Sequence, residues 1–151
     1  MLTLDFPARP PQRREPLAGL AEALGATPIE TWQSRDVMAV FATADDVRAL
    51  KPDFGALAKL DAWAVIATAP GHDGIDFVSR FFAPATGTPE DPVTGSAHCT
   101  LTPYWAHRLG KTTLEARQVS KRGGALTCTL KANRVLISGR AVLYLEGSIT
   151  V

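Results

Sequence analysis

The sequence predicts an α+β domain with a strongly curved or barrel-like β-sheet. The chain has 151 residues, of which 46% are apolar and 21% charged, a normal balance for one globular domain with its own core. About eight or nine strand-like segments follow one another along the chain, with only two main helices among them. There is no internal repeat and no low-complexity tract. This count of strands and helices indicates the α+β class.

The first half of the chain predicts a strand, a helix, a hairpin and two short helices. "MLTLDFPA" alternates like a strand, and the proline-rich "ARPPQRRE" ends it as a solvated connection. "PLAGLAEALG" has leucines at helical spacing, with Gly25 as the stop. "PIETWQSRDVMAVFAT" predicts a hairpin that turns at "QSRD". "ADDVRALKPDFGALAKL" predicts two short helices, which part at Pro52 because the residue before proline is disfavoured in a helix.

The second half predicts further strands around one long helix. "AWAVIATAP" and "GIDFVSRFFAP" are strand-like and are joined by the turn "GHDG". After the loop "ATGTPEDPV", the run "GSAHCTLTPYWAHRLG" predicts a helix over 95–109 that stops at Gly110. Pro103 would have to lie near the start of this helix or kink it. The remaining strand candidates are "TTLEARQVS", "ALTCTLKA", "RVLISGRA" and "VLYLEGSITV".

Charge, hydropathy and cysteine content exclude several classes of protein. The net charge is +1 and the basic residues are dispersed, so we expect neither nucleic acid nor a membrane surface as a partner. No apolar run approaches the roughly 20 residues of a membrane-spanning helix, and the first residues lack the order of a secretory signal. Cys99 and Cys128 form neither a disulfide framework nor a CxxC pair. We therefore expect a reduced, cytoplasmic protein.

The segment "EDPVTGSAHC", residues 90–99, concentrates groups that carry chemistry. Backbone N–H groups at a helix start are unpaired, and the helix dipole favours an anion there. Gly95 would let a ligand approach the backbone, and Thr94 or Ser96 could hydrogen-bond a bound carboxylate. Asp91 would lie beside that anion. This constellation favours general acid–base catalysis on a small carboxylate-bearing molecule.

The same residues also allow a purely structural interpretation. Asp-Pro and Thr-Gly are common in turns, and Thr94 or Ser96 could cap the helix for about 1 kcal/mol. The pattern alone leaves both interpretations open. A local Cys–His pair is not expected, because neighbours such as His98 and Cys99 diverge by about 100° on a helix. Without HExxH, CxxC, GxGxxG or GxxxxGK[ST], neither a zinc site nor a nucleotide cradle is expected.

Four segments together resemble a known family. "FVSRFFAP", "EDPVTGSAHCTLTPYWAHRLGK", "ARQVSKRGGAL" and "RVLISGRAVLYLEGSITV" are similar to the C-terminal half of PhzF-like (phenazine biosynthesis PhzC/PhzF) isomerases, from about Asp76 to the end. The resemblance implies a diaminopimelate-epimerase-like fold, in which two similar halves face each other across an active-site cleft. Each half is a mixed, strongly curved sheet wrapped around a central helix, here 95–109. Members of the family work without a metal or organic cofactor, by proton transfer on small carboxylate-bearing substrates.

The resemblance also assigns roles to individual residues. It places the two catalytic groups of this half at Asp91 and Ser96. The second motif, "ARQVSKRGG", contains Gln118, Ser120, Arg122 and Gly123, and either lines the cleft or shapes a turn. The residues expected to bind the substrate or its anionic group are Thr94, Gly95, Ser96, Gln118, Arg122 and Gly123.

The chain departs from the family in one respect. Family chains are nearly twice as long, and their first half carries a catalytic glutamate and a "CGHAT"-type motif, neither of which occurs here. We therefore expect residues 1–151 to form a single domain equivalent to the second half, with low or no activity alone. A homodimer or a separately encoded N-terminal half would complete it. The alternatives are a non-catalytic remnant that dimerises or binds a small ligand and, more weakly, a thiol-dependent enzyme that uses Cys99.

Overall fold

A computed structural model of the chain describes residues 1–150, which form one sheet and four α-helices. The strands are β1 (Leu2–Pro7), β2 (Gln12–Arg13), β3 (Glu30–Gln33), β4 (Val37–Val40), β5 (Val65–Pro70), β6 (Phe77–Ala83), β7 (Thr88–Glu90), β8 (Thr113–Gln118), β9 (Gly124–Lys131) and β10 (Arg134–Gly139). The helices are α1 (Leu20–Leu24), α2 (Ala44–Ala49), α3 (Phe54–Leu57) and α4 (Gly95–Leu109), and a 3₁₀ turn covers Pro84–Thr86. In residues 1–150, no helix is long and apolar enough to cross a membrane.

The sheet is large and mixed. Its strand order is β1-β10-β9-β8-β6-β5-β4-β3-β2, and β7 pairs with β6 outside this path. The pairs β4/β5 and β6/β8 are parallel, and the other pairs are antiparallel. The predicted α+β class is confirmed. The two ends of the ladder, β1 and β2, do not pair with each other, so the sheet is not closed, and its barrel-like curvature stays a prediction.

The central strands β4, β5 and β6 are covered on both faces. In β4, Val37 and Ala39 pack with α1, α2 and α3, whereas Met38 and Val40 belong to the core that contains α4. Strands buried on both faces read as nearly continuous apolar runs, as "VMAV" and "VIATA" do. β8 instead alternates between exposed and buried residues, because α4 covers only one of its faces. This arrangement makes α4 the centre of the larger core.

Helix α4 is held by a stacked aromatic pair and tolerates a proline in its interior. The ring of Trp105 stacks on Phe77 with centroids 5.9 Å apart, and its Nε1 donates a hydrogen bond to Thr68 Oγ1 at 3.0 Å. Pro103 has no N–H, so the carbonyl of Cys99 loses its partner within the helix. The backbone N–H of Arg9 replaces that partner at 2.8 Å. Pro103 thus lies in the interior of the helix, away from its start.

Three predictions about segments need correction. The connection over 9–15 is not wholly solvated, since Arg9 contacts α4 and residues 12 and 13 form β2 along β3. The loop before α4 contains β7, which pairs with β6. The strand predicted over 142–151 does not form over 142–150, and Val151 lies outside the described residues. β10 already has β9 on one side and β1 on the other, so the chain that leaves it finds no open edge beside it.

Candidate active site

Asp91 lies in the loop between β7 and α4 and is fixed at both its backbone and its side chain. Its backbone N–H donates to the carbonyl of Phe81 in β6 at 3.0 Å. The hydroxyl of Thr94 donates to Asp91 Oδ2 at 2.7 Å. The carboxylate is half-buried, so it keeps access to solvent. Asp91 and Thr94, two of the predicted site residues, are therefore in direct contact.

Gln118, at the end of β8, fixes the conformation of this loop by hydrogen bonds from the protein interior. Its side chain is almost fully buried and uses both ends of the amide. Nε2 donates to the carbonyl of Asp91 at 2.6 Å and to Thr94 Oγ1 at 3.1 Å, while Oε1 accepts from the backbone N–H of Thr94 at 2.8 Å. Because these bonds occupy the amide, Gln118 positions Asp91 and Thr94 from within the protein.

The start of α4 has no side-chain cap within the described part of the chain. Thr94 is the N-cap residue, but its hydroxyl is turned to Asp91, and the first turn contains no acidic residue. The capping interpretation of Thr94 is therefore wrong. A Cβ built on Gly95 would meet nothing within 4 Å, and the backbone of Gly95 does not have a positive φ. Neither packing nor conformation requires glycine here, whereas close approach of a ligand would.

The second motif folds against the Asp91 loop. Ser120 Oγ donates to the carbonyl of Pro92 at 2.8 Å and accepts from the N–H of Gly123 at 3.0 Å. A Cβ on Gly124 would lie 2.5 Å from Val93 Cγ2, so glycine is required for this approach. Arg122 is exposed and borders an open groove of about 500 Å³, which is lined by Arg48, Arg117, Gln118, Ser120, Arg122 and Gly123 but not by Asp91 or Thr94. Ser120 and Gly124 therefore hold the motif against the Asp91 loop, while several residues of the motif also line the groove, so its role in substrate binding stays a prediction.

Arg35 and Asp36 join the site although the sequence indicated only a turn there. They lie between β3 and β4, and Arg35 Nη2 donates to Ser96 Oγ on the first turn of α4 at 3.2 Å. Asp36 is buried and accepts two hydrogen bonds from the Arg35 guanidinium. The adjacent Arg-Asp pair at the end of a predicted hairpin turn was the available signal, but the contact spans 61 residues. Such a contact cannot be found from local spacing.

The sequence and fold of the chain match a known family. The model of the PhzC-PhzF family, described as phenazine biosynthesis-like protein, matches residues 10–147. The chain belongs to the PhzC-PhzF family. An uncharacterized isomerase of Pseudomonas aeruginosa is 52% identical over 149 residues, which cover 98% of this chain and 57% of that relative. The chain thus spans little more than half the length of the curated relative it matches.

Solved structures of the family have the same fold. A PhzF-family phenazine biosynthesis protein of Enterococcus faecalis superposes with a TM-score of 0.91 at 47% identity, over 99% of this chain and 57% of that one. A PhzC/PhzF protein of Clostridium difficile, described as putative in its own name, superposes with a TM-score of 0.87 at 41% identity over the same shares. The recognition made from the sequence motifs is confirmed.

His98 and Cys99 of this PhzC-PhzF chain face the core. His98 is fully buried, its Nδ1 lies 2.7 Å from the carbonyl of Thr94, and burial lowers the pKa of its imidazole. Cys99 is buried, and this burial raises the pKa of its thiol, which disfavours the thiolate needed for nucleophilic attack. The thiol-dependent alternative is thereby weakened. In residues 1–150, no group of three or more His, Cys, Asp or Glu side chains is arranged to hold a metal ion.

Proposed function

We propose that this chain is the second-half domain of a PhzF-like isomerase or epimerase that moves a proton on a small carboxylate-bearing metabolite without a cofactor. In this proposal the sheet curves around α4 as one half of a diaminopimelate-epimerase-like fold. The observation that carries the proposal is Asp91, which is held by Thr94 and Gln118 at the open start of a 15-residue helix. A carboxylate beside a site for an anion suits proton transfer next to a substrate carboxylate.

In this proposal the start of α4 binds the charged group of the substrate, and Asp91 transfers the proton. The backbone at Gly95 and the hydroxyl of Ser96 would bind the substrate carboxylate, which the positive end of the α4 dipole favours. Asp91 would take a proton from the neighbouring carbon or return one to it. The negative charge that develops on the substrate would be stabilised by the same helix start. Thr94 and Gln118 would keep Asp91 in one orientation throughout.

One carboxylate does not complete this reaction efficiently. Isomerisation removes a proton at one position or face and delivers a proton at another, and each well-placed group contributes about 10²–10⁴-fold. The resemblance assigns the second group to a glutamate in the other half of a family chain. We therefore propose that a separately encoded N-terminal half, or a second copy of this chain, completes the site. Large exposed apolar side chains, among them Leu143, Tyr144 and Ile149, support the presence of a covering partner.

The test is reconstitution of proton exchange. The chain would be co-expressed with the part of the Pseudomonas aeruginosa isomerase that it does not cover, and the purified pair incubated in D₂O with small carboxylic acids. Mass spectrometry should detect deuterium at a substrate carbon only when both parts are present. Asp91→Asn should reduce the exchange by about 10²-fold or more, because it removes one positioned proton-transfer group.

The outcomes separate the proposal from its alternative. Full exchange in the Asp91→Asn pair would refute the assigned role of Asp91. No exchange with any partner, together with a stable dimer that still binds carboxylates, would favour the non-catalytic remnant. Ser96→Ala serves as the milder comparison, since it removes a hydroxyl but no ionisable group.

We also propose that the protein is located in the cytoplasm. Its two cysteines are buried and unpaired, which fits a reducing compartment.

A further inference from the structure

Arg35 is held rigidly beside the start of α4. Its Nε and Nη2 donate to the two carboxylate oxygens of Asp36, both at 2.9 Å. The second N–H of Nη2 donates a hydrogen bond to Ser96 Oγ, with the nitrogen and oxygen 3.2 Å apart. The side chain of Asp36 is 1% exposed and that of Arg35 is 40% exposed. A buried anion thus fixes a cation whose outer edge remains in solvent.

The guanidinium keeps donors that no protein group uses. A guanidinium has five N–H donors in a rigid plane, and three of those of Arg35 serve Asp36 and Ser96. The two donors on Nη1 make no hydrogen bond within residues 1–150. Both free donors lie on Nη1, so they can donate to a bound carboxylate through this one nitrogen, in the plane of the guanidinium and beside its positive charge. The unused edge therefore matches the substrate class proposed above.

Other charges at this end of α4 also favour an anion. The backbone of Arg9 bonds to Cys99 and the side chain of Arg35 bonds to Ser96, and the positive charges of Arg9, Arg35 and Arg134 all act to lower the pKa of Cys99. Arg134 is paired with Asp5 at 2.9 Å. Arg9 has a buried Nη1 without a hydrogen-bond partner in the described chain. Of these three cations, Arg9 is the one without an acid partner within residues 1–150, and the helix dipole also favours an anion here.

We propose that Arg35 binds the substrate carboxylate at the start of α4, and that Asp36 is the positioning residue that orients the guanidinium. This inference rests on the proposed function, since it names the side chain that recognises that class of substrate. Ser96 then contacts both the carboxylate and Arg35, which links the hairpin β3–β4 to the first turn of α4. The negative charge of Asp36 is kept out of solvent and does not face the bound anion.

The test is binding of succinate to the isolated ¹⁵N-labelled chain, followed by NMR at the Gly95 and Ser96 amides and at Arg35 Nε. Succinamide, the uncharged analogue, is the ligand control. Arg35→Gln should weaken succinate binding by about 10- to 100-fold, the range expected for a hydrogen bond to a charged group. Arg35→Lys should recover only part of the loss, because lysine keeps the charge but cannot be oriented by two parallel hydrogen bonds to Asp36. Arg108→Gln, at the opposite end of α4 and at a side chain that is 43% exposed and also paired with an acid, should leave binding unchanged.

The variant Asp36→Asn distinguishes the effect of orienting the Arg35 guanidinium from the effect of the local charge. This variant raises the local positive charge, so electrostatics alone would tighten binding, whereas loss of orientation should weaken it by about 3- to 10-fold. Because Arg35→Gln leaves Asp36 buried without its partner, the double variant Arg35→Gln/Asp36→Asn provides a neutral pair, and it should bind as weakly as Arg35→Gln.

Each outcome decides for or against the inference. A selective loss at Arg35 and Asp36 supports it, even if the reconstituted pair exchanges no proton. Unchanged affinity in Arg35→Gln and the double variant overturns it, as does the absence of a succinate-dependent shift at Gly95 in the unmodified chain. If proton exchange in the reconstituted pair depends on Asp91 but the affinity for succinate does not depend on Arg35, only this inference fails and the proposed function stands.

Discussion

The two ends of α4 are built in opposite ways. At the C-terminal end, Glu30 accepts hydrogen bonds from Trp32 Nε1 at 2.9 Å, from Tyr104 at 3.2 Å and from Arg108 at 2.9 Å. Gly110 then closes the helix with a left-handed backbone and an N–H bond to Ala106. At the N-terminal end, Thr94 is turned away to Asp91 and no side chain caps the helix in the described structure.

This difference separates a group of residues that stabilises the fold from one that is available to a ligand. At the C-terminal end Glu30, Trp32 and Tyr104 are satisfied by one another and by Arg108, and Gly110 closes the backbone, so no open helix end remains. At the N-terminal end the internal bonds orient Asp91 and Arg35, but backbone N–H groups and one edge of a guanidinium face outward. Water can satisfy such groups in the free protein, and they are available to an anionic ligand.

The largest effect on stability is expected at the C-terminal end, from Glu30→Ala. This change removes the shared acceptor of Trp32, Tyr104 and Arg108, and partly buried donors lose their partners. We expect the free energy of unfolding to fall by about 2–3 kcal/mol in urea titration. Asp45→Ala, which removes an exposed acid paired with Arg48, should change it by less than about 0.5 kcal/mol. Equal costs for the two variants would contradict the special role of Glu30.

The two ends should also lose stability in different pH ranges. Burial raises the pKa of Glu30, but the hydrogen bonds from Trp32, Arg108 and Tyr104 and the charge of Arg108 outweigh it, so the pKa is lowered from 4.5. Its stabilisation is complete above pH 4.5 and is lost as pH falls through the lower, folded value. Burial lowers the pKa of His98 from 6.5, because the folded protein resists charging the ring. Stability therefore also decreases as pH falls below 6.5.

Unfolding titrations between pH 3 and pH 8 would check both ranges. Glu30→Gln should flatten only the acid part of the profile, below about pH 4.5. His98→Asn keeps a donor near the carbonyl of Thr94 but cannot titrate, so it should flatten only the part below about pH 6.5. A His98→Asn profile identical to that of the unmodified chain would show that His98 does not contribute.

Elements with a strong local pattern could be predicted from the sequence. The helix 95–109 with its stop at Gly110 and the apolar strands β4, β5 and β6 were found because their periodicity and stop signals are local. The segment 142–150 shows the limit of this approach. It has a strand-like composition, but a strand also needs a partner strand, and none of the strands within residues 1–150 pairs with it. β7 was missed for the opposite reason, since β6 supplies an edge to three residues of turn-like composition.

The candidate site could be predicted from the sequence only where its residues are close together along the chain. Asp91, Thr94, Gly95 and Ser96 are close in sequence, so a single motif brought them together. The support from Gln118 and the contact of Arg35 with Ser96 connect residues 24 and 61 positions apart. These contacts depend on the parallel pairing of β6 with β8 and on the position of the β3–β4 turn. Neither is encoded by spacing within one segment.

Gly110→Ala should have an intermediate effect on stability. The φ of Gly110 is 64°, a left-handed conformation in which a Cβ is strained although nothing crowds it. We expect the free energy of unfolding to fall by about 1 kcal/mol, with carboxylate binding at Gly95 unchanged. Thermal unfolding followed by circular dichroism measures the first quantity, and the succinate titration measures the second. Weaker succinate binding in this variant would show that the two ends of α4 are coupled.

Gly95→Ala should have the smallest effect on stability and a clear effect on binding. The Cβ would meet no atom within 4 Å and the backbone has no positive φ, so the folded state accepts alanine without strain. Since alanine also favours the helical conformation, the free energy of unfolding should stay constant or rise by up to about 1 kcal/mol. The methyl group would occupy the space that we assign to the bound carboxylate, so succinate should bind about 10-fold more weakly.

The paired glycines make this comparison specific, because the same substitution has opposite consequences at the two ends of one helix. Alanine at Gly110 costs stability and leaves binding intact, whereas alanine at Gly95 preserves stability and weakens binding. If Gly95→Ala binds succinate as tightly as the unmodified chain, the ligand does not approach the backbone there, and the open start of α4 is not where the carboxylate lies. If it unfolds more easily, glycine at this position serves the fold and not the ligand.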